Sequence, residues 1–130
     1  YQLLEELCSL CGLSYGTLVP NAGAQGEFTG IQMIAAYHKQ RGEFERNEII
    51  VPDNAHGTNS ATAAMAGFTT LTVRSNAKGD LDLAHLKELV SGRTAGLMLT
   101  NPNTLGLFSS HIIEIAALIH EQGGLLYYSM

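Results

Sequence analysis

Three short stretches of this chain gather small and hydrogen-bonding residues in a pattern that can serve a ligand. They are Asn21-Ala22-Gly23-Ala24-Gln25-Gly26, Asn54-Ala55-His56-Gly57-Thr58-Asn59 and Thr100-Asn101-Pro102-Asn103-Thr104-Leu105-Gly106. The first opens a helical pattern. Glycine and alanine let backbone approach closely, and the first amides of a helix have no internal acceptor, so with the helix dipole they form a cradle for an anion. Small residues there also suit plain tight packing, and Glu27 in the first turn would repel an anion unless it points away. The loop lacks both the G-x-G-x-x-G pattern of dinucleotide sites and the GK[ST] ending of a nucleotide P-loop. In the second stretch His56 lies between Ala55 and Gly57, which leaves room for a flat ligand against the imidazole. A turn histidine bonded to a backbone carbonyl is the plainer alternative.

The other candidate residues point away from metal or redox chemistry. His38, His85, His111 and His120 fall on helical patterns as surface or boundary residues, none pairs at metal spacing, and no metal is expected. Cys8 and Cys11 form a C-x-x-C, but a zinc site needs four ligands and no second pair follows. They sit among Leu3, Leu4, Leu7, Leu10 and Leu13, so ordinary half-buried thiols are expected.

The elements that must position the loops can be read from periodicity and punctuation. Residues 1–11 read as a helix stopped by Gly12, and 16–19 as a short extended run. A second helix runs from Ala24, with Phe28, Ile31, Ile34 and Ala35 on one face, to Gly42. Strands are expected at 48–51, 69–73, 96–99 and 125–128. Between them lie an alanine-rich helix capped by Asn59 and stopped by Gly67, a polar turn at 75–79, a helix over 82–90, and a helix over 110–121 with Ile112, Ile115, Ala116 and Ile119 inward. Alternating strands and helices, with strands apolar on both faces, imply an α/β fold: a mostly parallel sheet with helices on both faces. In such sheets ligands sit beyond the carboxyl ends of the strands, where all three loops fall, with Ser129 at a fourth exit.

The chain has 130 residues, room for one domain. Charged residues make up 15 % and hydrophobic residues 45 %, which excludes a disordered tail. A formal charge of −5 offers no basic field for nucleic acid or an acidic membrane surface. No apolar run approaches the roughly 20 residues of a membrane helix. The chain opens on Tyr1 inside a helical pattern and stops just after the apolar run 125–128, which reads as a truncated segment of a longer enzyme.

The strings Pro20-Asn21-Ala22-Gly23-Ala24-Gln25-Gly26-Glu27, Ala55-His56-Gly57-Thr58-Asn59 and Thr100-Asn101-Pro102-Asn103-Thr104-Leu105-Gly106 occur in this order and spacing. Together they resemble the C-terminal half of the P-proteins of the glycine cleavage system, the pyridoxal-phosphate glycine decarboxylases, a half that many bacteria make as a separate subunit. The resemblance runs from about Tyr1 to Tyr128. It implies a fold-type-I pyridoxal-phosphate enzyme, like the aspartate aminotransferases, with residues 1–130 the truncated first part of its cofactor-binding large domain. Gly23, Ala24 and Gln25 would then cradle the phosphate of pyridoxal phosphate, His56 would stack on its ring, and Thr58 and Thr104 would bond its polar edge or phosphate.

The resemblance further implies decarboxylation of glycine, with the aminomethyl group passed to the lipoyl group of the H-protein. The other half of the P-protein (subunit 1, or the rest of one chain), an oligomeric assembly and a bacterial cytoplasm are implied with it. Two features depart from the family. Ser129 stands where the family has an aspartate that pairs with the ring nitrogen, and the Schiff-base lysine lies downstream of this segment. Lys39, Lys78 and Lys87 fall on helix or turn positions, so no catalytic residue is expected here and the segment alone is expected to be inactive. Ser60, where the family usually has proline, is a minor change. The competing readings are another fold-type-I aminotransferase or decarboxylase, a non-catalytic assembly fragment and, weakest, a nicotinamide-dependent dehydrogenase.

Overall fold

The computed structural model describes residues 2–129; Tyr1 and Met130, at the ends of the stretch compared with the family, lie outside the described residues. The elements follow in the order α1 (Gln2–Cys11), α2 (Gly23–Gln40), β1 (Glu48–Pro52), α3 (Gly57–Met65), β2 (Thr69–Val73), α4 (Leu83–Leu89), β3 (Thr94–Thr100), α5 (Ile112–Glu121) and β4 (Leu125–Ser129). The four strands form one parallel sheet in the order β2-β1-β3-β4. The expected α/β class with a parallel sheet is therefore what the chain adopts.

Side-chain alternation along the strands, broken in β3 where the pairing steps from Glu48↔Thr94 to Ile49↔Gly96 and passes over Ala95, divides the core into two layers. Ile49, Val51, Ala95 and Met98 pack with Ile31 and Ile34 of α2 and Ala63 of α3. Ile50, Leu97 and Leu99 pack on the other face with Leu86 of α4 and Ile115 and Ile119 of α5. Helices thus cover both faces, as the apolar central strands require. The strands are expected to be largely apolar with no polar face; the β-branched edge strand β2 is the more open one, with Thr69 and Thr72 exposed along it.

Glycines do the stopping. Gly12, Gly42 and Gly67 follow α1, α2 and α3 in the left-handed region, which costs other residues steric strain. The run 16–19 forms no strand, and α1 buries none of its residues: Leu3, Leu7 and Leu10 are exposed, as is Leu13 beyond its end. Cys8 is half-buried as expected, but Cys11 is exposed; both are free thiols. No helix among the described residues is long and apolar enough to cross a membrane.

Candidate functional site

The strand order creates a crevice. After β1 the chain enters α3, which packs on the same face as α2, whereas after β3 it leads into α5 on the opposite face. The exits of these adjacent strands therefore diverge, and the space between them is the switch point at which open α/β sheets take ligands. The helix α2 runs toward the amino end of β1, so its own N-terminus stands at the carboxyl edge.

Hydrogen bonds stitch the loops into one rim. The Thr104 hydroxyl donates to the Asn54 carbonyl at 2.8 Å, joining the β3 and β1 exits across 50 residues of sequence. Asn54 Nδ2 and Asn103 Nδ2 donate to the same Gly79 carbonyl, at 2.8 and 2.9 Å, which brings in the turn after β2. At the β3 exit, buried Asn101 accepts from the Ser109 amide at 2.8 Å and donates to the Tyr128 hydroxyl at 3.0 Å. The Asp53 carboxyl accepts from the Ser75 amide and hydroxyl; burial works against its charge, but these bonds outweigh it and hold the group below its ordinary value.

The candidate contact residues lie in these loops and at the start of α2. Gly23 and Ala24 are the first two residues of α2, after an N-cap, Ala22, whose side chain makes no capping bond, so the first amides keep no partner from that source. Space in front of Gly23 is open: an added Cβ would meet nothing within 4 Å. The Gln25 side-chain oxygen accepts from the Asn21 amide at 2.8 Å, which braces the loop and leaves its amide NH2 group uncommitted. His56 is exposed and is itself the N-cap of α3. Asn59, expected as that cap, lies inside the helix, buried, and donates to the Thr100 hydroxyl at 3.3 Å. Thr58 is half-buried and donates to Glu27 at 2.8 Å.

One residue answers a point that the sequence left open, and one departs from its reading. Glu27 does not face the opening amides of α2; it is buried and turned to Thr58 of the neighbouring helix. That bond links the α2 terminus to the His56 loop, because His56 Nδ1 lies 2.7 Å from the Thr58 hydroxyl. His38, expected at the surface or boundary, is only 2 % exposed; its Nε2 meets the Ala95 carbonyl and its Nδ1 the Glu43 carboxylate, both at 2.8 Å. Nothing in helical periodicity marks a contact between residues 57 positions apart.

Beside Glu27, burial pushes the Tyr127 phenol up, the Glu27 carboxylate adds to this, and a hydrogen bond with Ser129 acts in the opposite direction. The Tyr127 ring lies over Gly30, where a Cβ would come within 2.9 Å of two ring carbons. Among the described residues, no group of three or more His, Cys, Asp or Glu is arranged to hold a metal ion. Of the three lysines considered, Lys39 is in the last turn of α2 and Lys87 lies on α4. Lys78 adjoins Gly79 on the rim.

Comparison with known proteins agrees with the resemblance carried by the three loops. The chain is 56 % identical over 128 residues to the probable glycine dehydrogenase (decarboxylating) subunit 2 of Halalkalibacterium halodurans. It is 59 % identical over the same length to that of Methylococcus capsulatus. Each alignment covers 98 % of this chain and 26 % of the relative, so the chain spans about a quarter of the length of these proteins. No protein-family model matches. Among solved structures, a glycine decarboxylase (P-protein) of the glycine cleavage system in inhibitor-bound form superposes with a TM-score of 0.76 at 20 % identity, over 96 % of this chain and 27 % of that one. The aminotransferase PseC of Helicobacter pylori superposes with 0.77 at 19 % identity, over 99 % and 32 %. The fold is thus the fold-type-I architecture shared by aminotransferases and glycine decarboxylase.

Proposed function

We propose that this chain, similar along 98 % of its length to glycine dehydrogenase (decarboxylating) subunit 2, supplies the first part of a pyridoxal-phosphate-binding large domain to a glycine-decarboxylating enzyme. The observation that carries this reading is the juxtaposition, at one switch point, of the uncapped α2 terminus, the exposed His56 and the Thr104 loop. The residues fit an anionic, flat cofactor: backbone donors with open space before them stand near an imidazole whose ring is accessible. Gly23 and Ala24 hold the phosphate through their amides and Gln25 through its free side-chain NH2 group, its own amide being donated to the Ala22 carbonyl at 3.0 Å. His56 lies against the ring. Thr58 and Thr104 donate their protons to Glu27 and Asn54, so each meets only a proton-bearing atom of the cofactor's polar edge unless its hydroxyl turns from that partner. When bound, pyridoxal phosphate supplies the electron sink for the carbanion charge that decarboxylation develops.

On this reading glycine is the substrate, and its aminomethyl group passes to the lipoyl group of the H-protein. Subunit 1 completes an oligomeric enzyme of the bacterial cytoplasm. The Ser129 hydroxyl cannot supply the charge of the family's aspartate, and no lysine of this stretch takes the Schiff-base role, so the 130 residues alone release no carbon dioxide from glycine. Release of labelled carbon dioxide by the full-length protein, with subunit 1, lipoylated H-protein and pyridoxal phosphate present, tests the reading. Gly23→Asp and His56→Ala should each weaken cofactor binding at least tenfold. Unchanged cofactor affinity in both variants would refute it. So would carbon dioxide release by the isolated chain together with borohydride fixation of the cofactor on Lys39, Lys78 or Lys87.

A further inference from the structure

Glu27 is 7 % exposed, and its Oε1 is buried with no hydrogen-bond partner. Its Oε2 accepts from the Thr58 hydroxyl at 2.8 Å. Among the described residues no cation pairs with it. A buried carboxylate so poorly satisfied costs stability, and an apolar side chain of similar size would pack there at lower cost. What the group does have is a single outlet, through Thr58, to His56.

Counting protons along that outlet fixes the imidazole. Thr58 has one hydroxyl proton, and an ionised carboxylate can only accept. Once that proton is donated to Glu27, the Thr58 oxygen presents lone pairs to His56 Nδ1, 2.7 Å away. Two acceptors cannot bond, so Nδ1 must carry the ring proton. The Thr58 amide also points at Nδ1, at 3.3 Å, and a capping bond from it would need a bare Nδ1; the shorter hydroxyl contact wins, and that weak side-chain cap is given up.

We infer that Glu27 and Thr58 form a positioning relay that holds His56 with its proton on Nδ1 and presents a bare Nε2 to the crevice. Which ring nitrogen is protonated is commonly set by the hydrogen bond made by the other one. Here the setting residue lies on a different helix, 29 positions upstream of the histidine. Resting on the placement of His56 beside the bound ligand, the relay has a chemical consequence. Nε2 takes a proton from the ammonium group of an amino-acid substrate, leaving the free amine. The Glu27 carboxylate, one hydroxyl away, balances the positive charge that then sits on the imidazole. Glu27 touches neither ligand nor reacting atom; it acts on His56 through the Thr58 hydroxyl.

The ring proton can be located directly, without cofactor or turnover. Full-length protein labelled with ¹⁵N at histidine is studied by long-range ¹H–¹⁵N correlation at a pH where the ring is neutral, with His56→Asn assigning the signal. The wild type and Thr58→Ser should show the Nδ1–H form. In Thr58→Val only the amide faces Nδ1, and in Glu27→Leu the Thr58 hydroxyl turns to it, so both should switch the proton to Nε2. A wild type in the Nε2–H form, or the Nδ1–H form persisting in both Thr58→Val and Glu27→Leu, would overturn the relay. Cofactor affinity of His56→Asn is read separately, so failure of the ligand placement shows in binding and failure of the relay shows in the tautomer.

Discussion

Replacing Gly96 by alanine puts the sheet that carries the site under a calculable strain. Gly96 lies in the central strand β3, in register with Leu125 of β4. A Cβ there would stand 2.5 Å from the Leu125 carbonyl oxygen and 3.4 Å from its carbonyl carbon. Both are backbone atoms, so no rotamer relieves the clash. Ordinary contact begins near 3.4 Å, and the two strands would have to part by about 0.9 Å, enough to take the neighbouring ladder bonds out of good geometry. Overpacking and weakened bonds together cost about 2–3 kcal/mol, a fall in melting temperature of roughly 8–12 °C for a domain of this size. Equilibrium urea unfolding followed by far-ultraviolet circular dichroism measures it, with Gly92→Ala as control, since a Cβ at Gly92 meets no atom within 4 Å. The control should be neutral or gain about 0.5 kcal/mol from reduced freedom of the unfolded chain. Equal unfolding midpoints for the two variants would refute the close approach of β3 and β4.

His38→Leu should cost about 2–3 kcal/mol, because it leaves the buried Ala95 carbonyl without the donor it now has at 2.8 Å; a melting temperature unchanged from wild type would show that the bond contributes nothing. Burial opposes the charge of Asp80, but bonds from Ser109, the Leu81 amide and Ser110 outweigh it and hold the carboxyl below its ordinary value. A depressed folded value gives stability that is complete above the unfolded value and is lost as pH falls from about 4 through the folded value. Wild-type melting should therefore fall more steeply below about pH 4 than that of Asp80→Asn, and parallel profiles would contradict the assignment.

What could be read from residue order alone is the part of the structure that local chemistry decides. The span of β2 is as read, because β-branched residues between Gly67 and a polar turn admit few alternatives. β1, β3 and β4 agree to within one or two residues. The helix stops at Gly12, Gly42 and Gly67 are legible because a positive φ is a property of the single residue. The failures are of another kind. Asn59 has the better capping side chain, yet His56 occupies the N-cap position of α3, since packing turns Asn59 inward to Thr100. Glu27 appeared adverse to an anion because only its distance along α2 was visible; its partner Thr58 is 31 residues away on another helix. His38 continues the inward face of Ile31, Ile34 and Ala35, and Glu43 lies five residues on, so its burial was legible; its bond to Ala95 was not, because a carbonyl has no identity in a sequence.

His38 matters to the site although it lies at the far edge of the sheet. It ties the last turn of α2 to Ala95, the second residue of β3. From His38 back to Gly23 the helix climbs about 22 Å at its regular rise. From Ala95 to Thr100 the strand advances only about 17 Å. With the lower end pinned, the surplus of roughly one helical turn must project past the carboxyl edge. There the opening amides of α2 stand clear of the sheet, and Glu27, one turn down, comes level with Thr58 at the start of α3. A shorter helix would bury its amides against the strands, and an unpinned one would let them slide along the sheet. The placement of Gly23, Ala24 and Gln25, the cradle proposed above, is thus set by helix length and by an anchor at the opposite end.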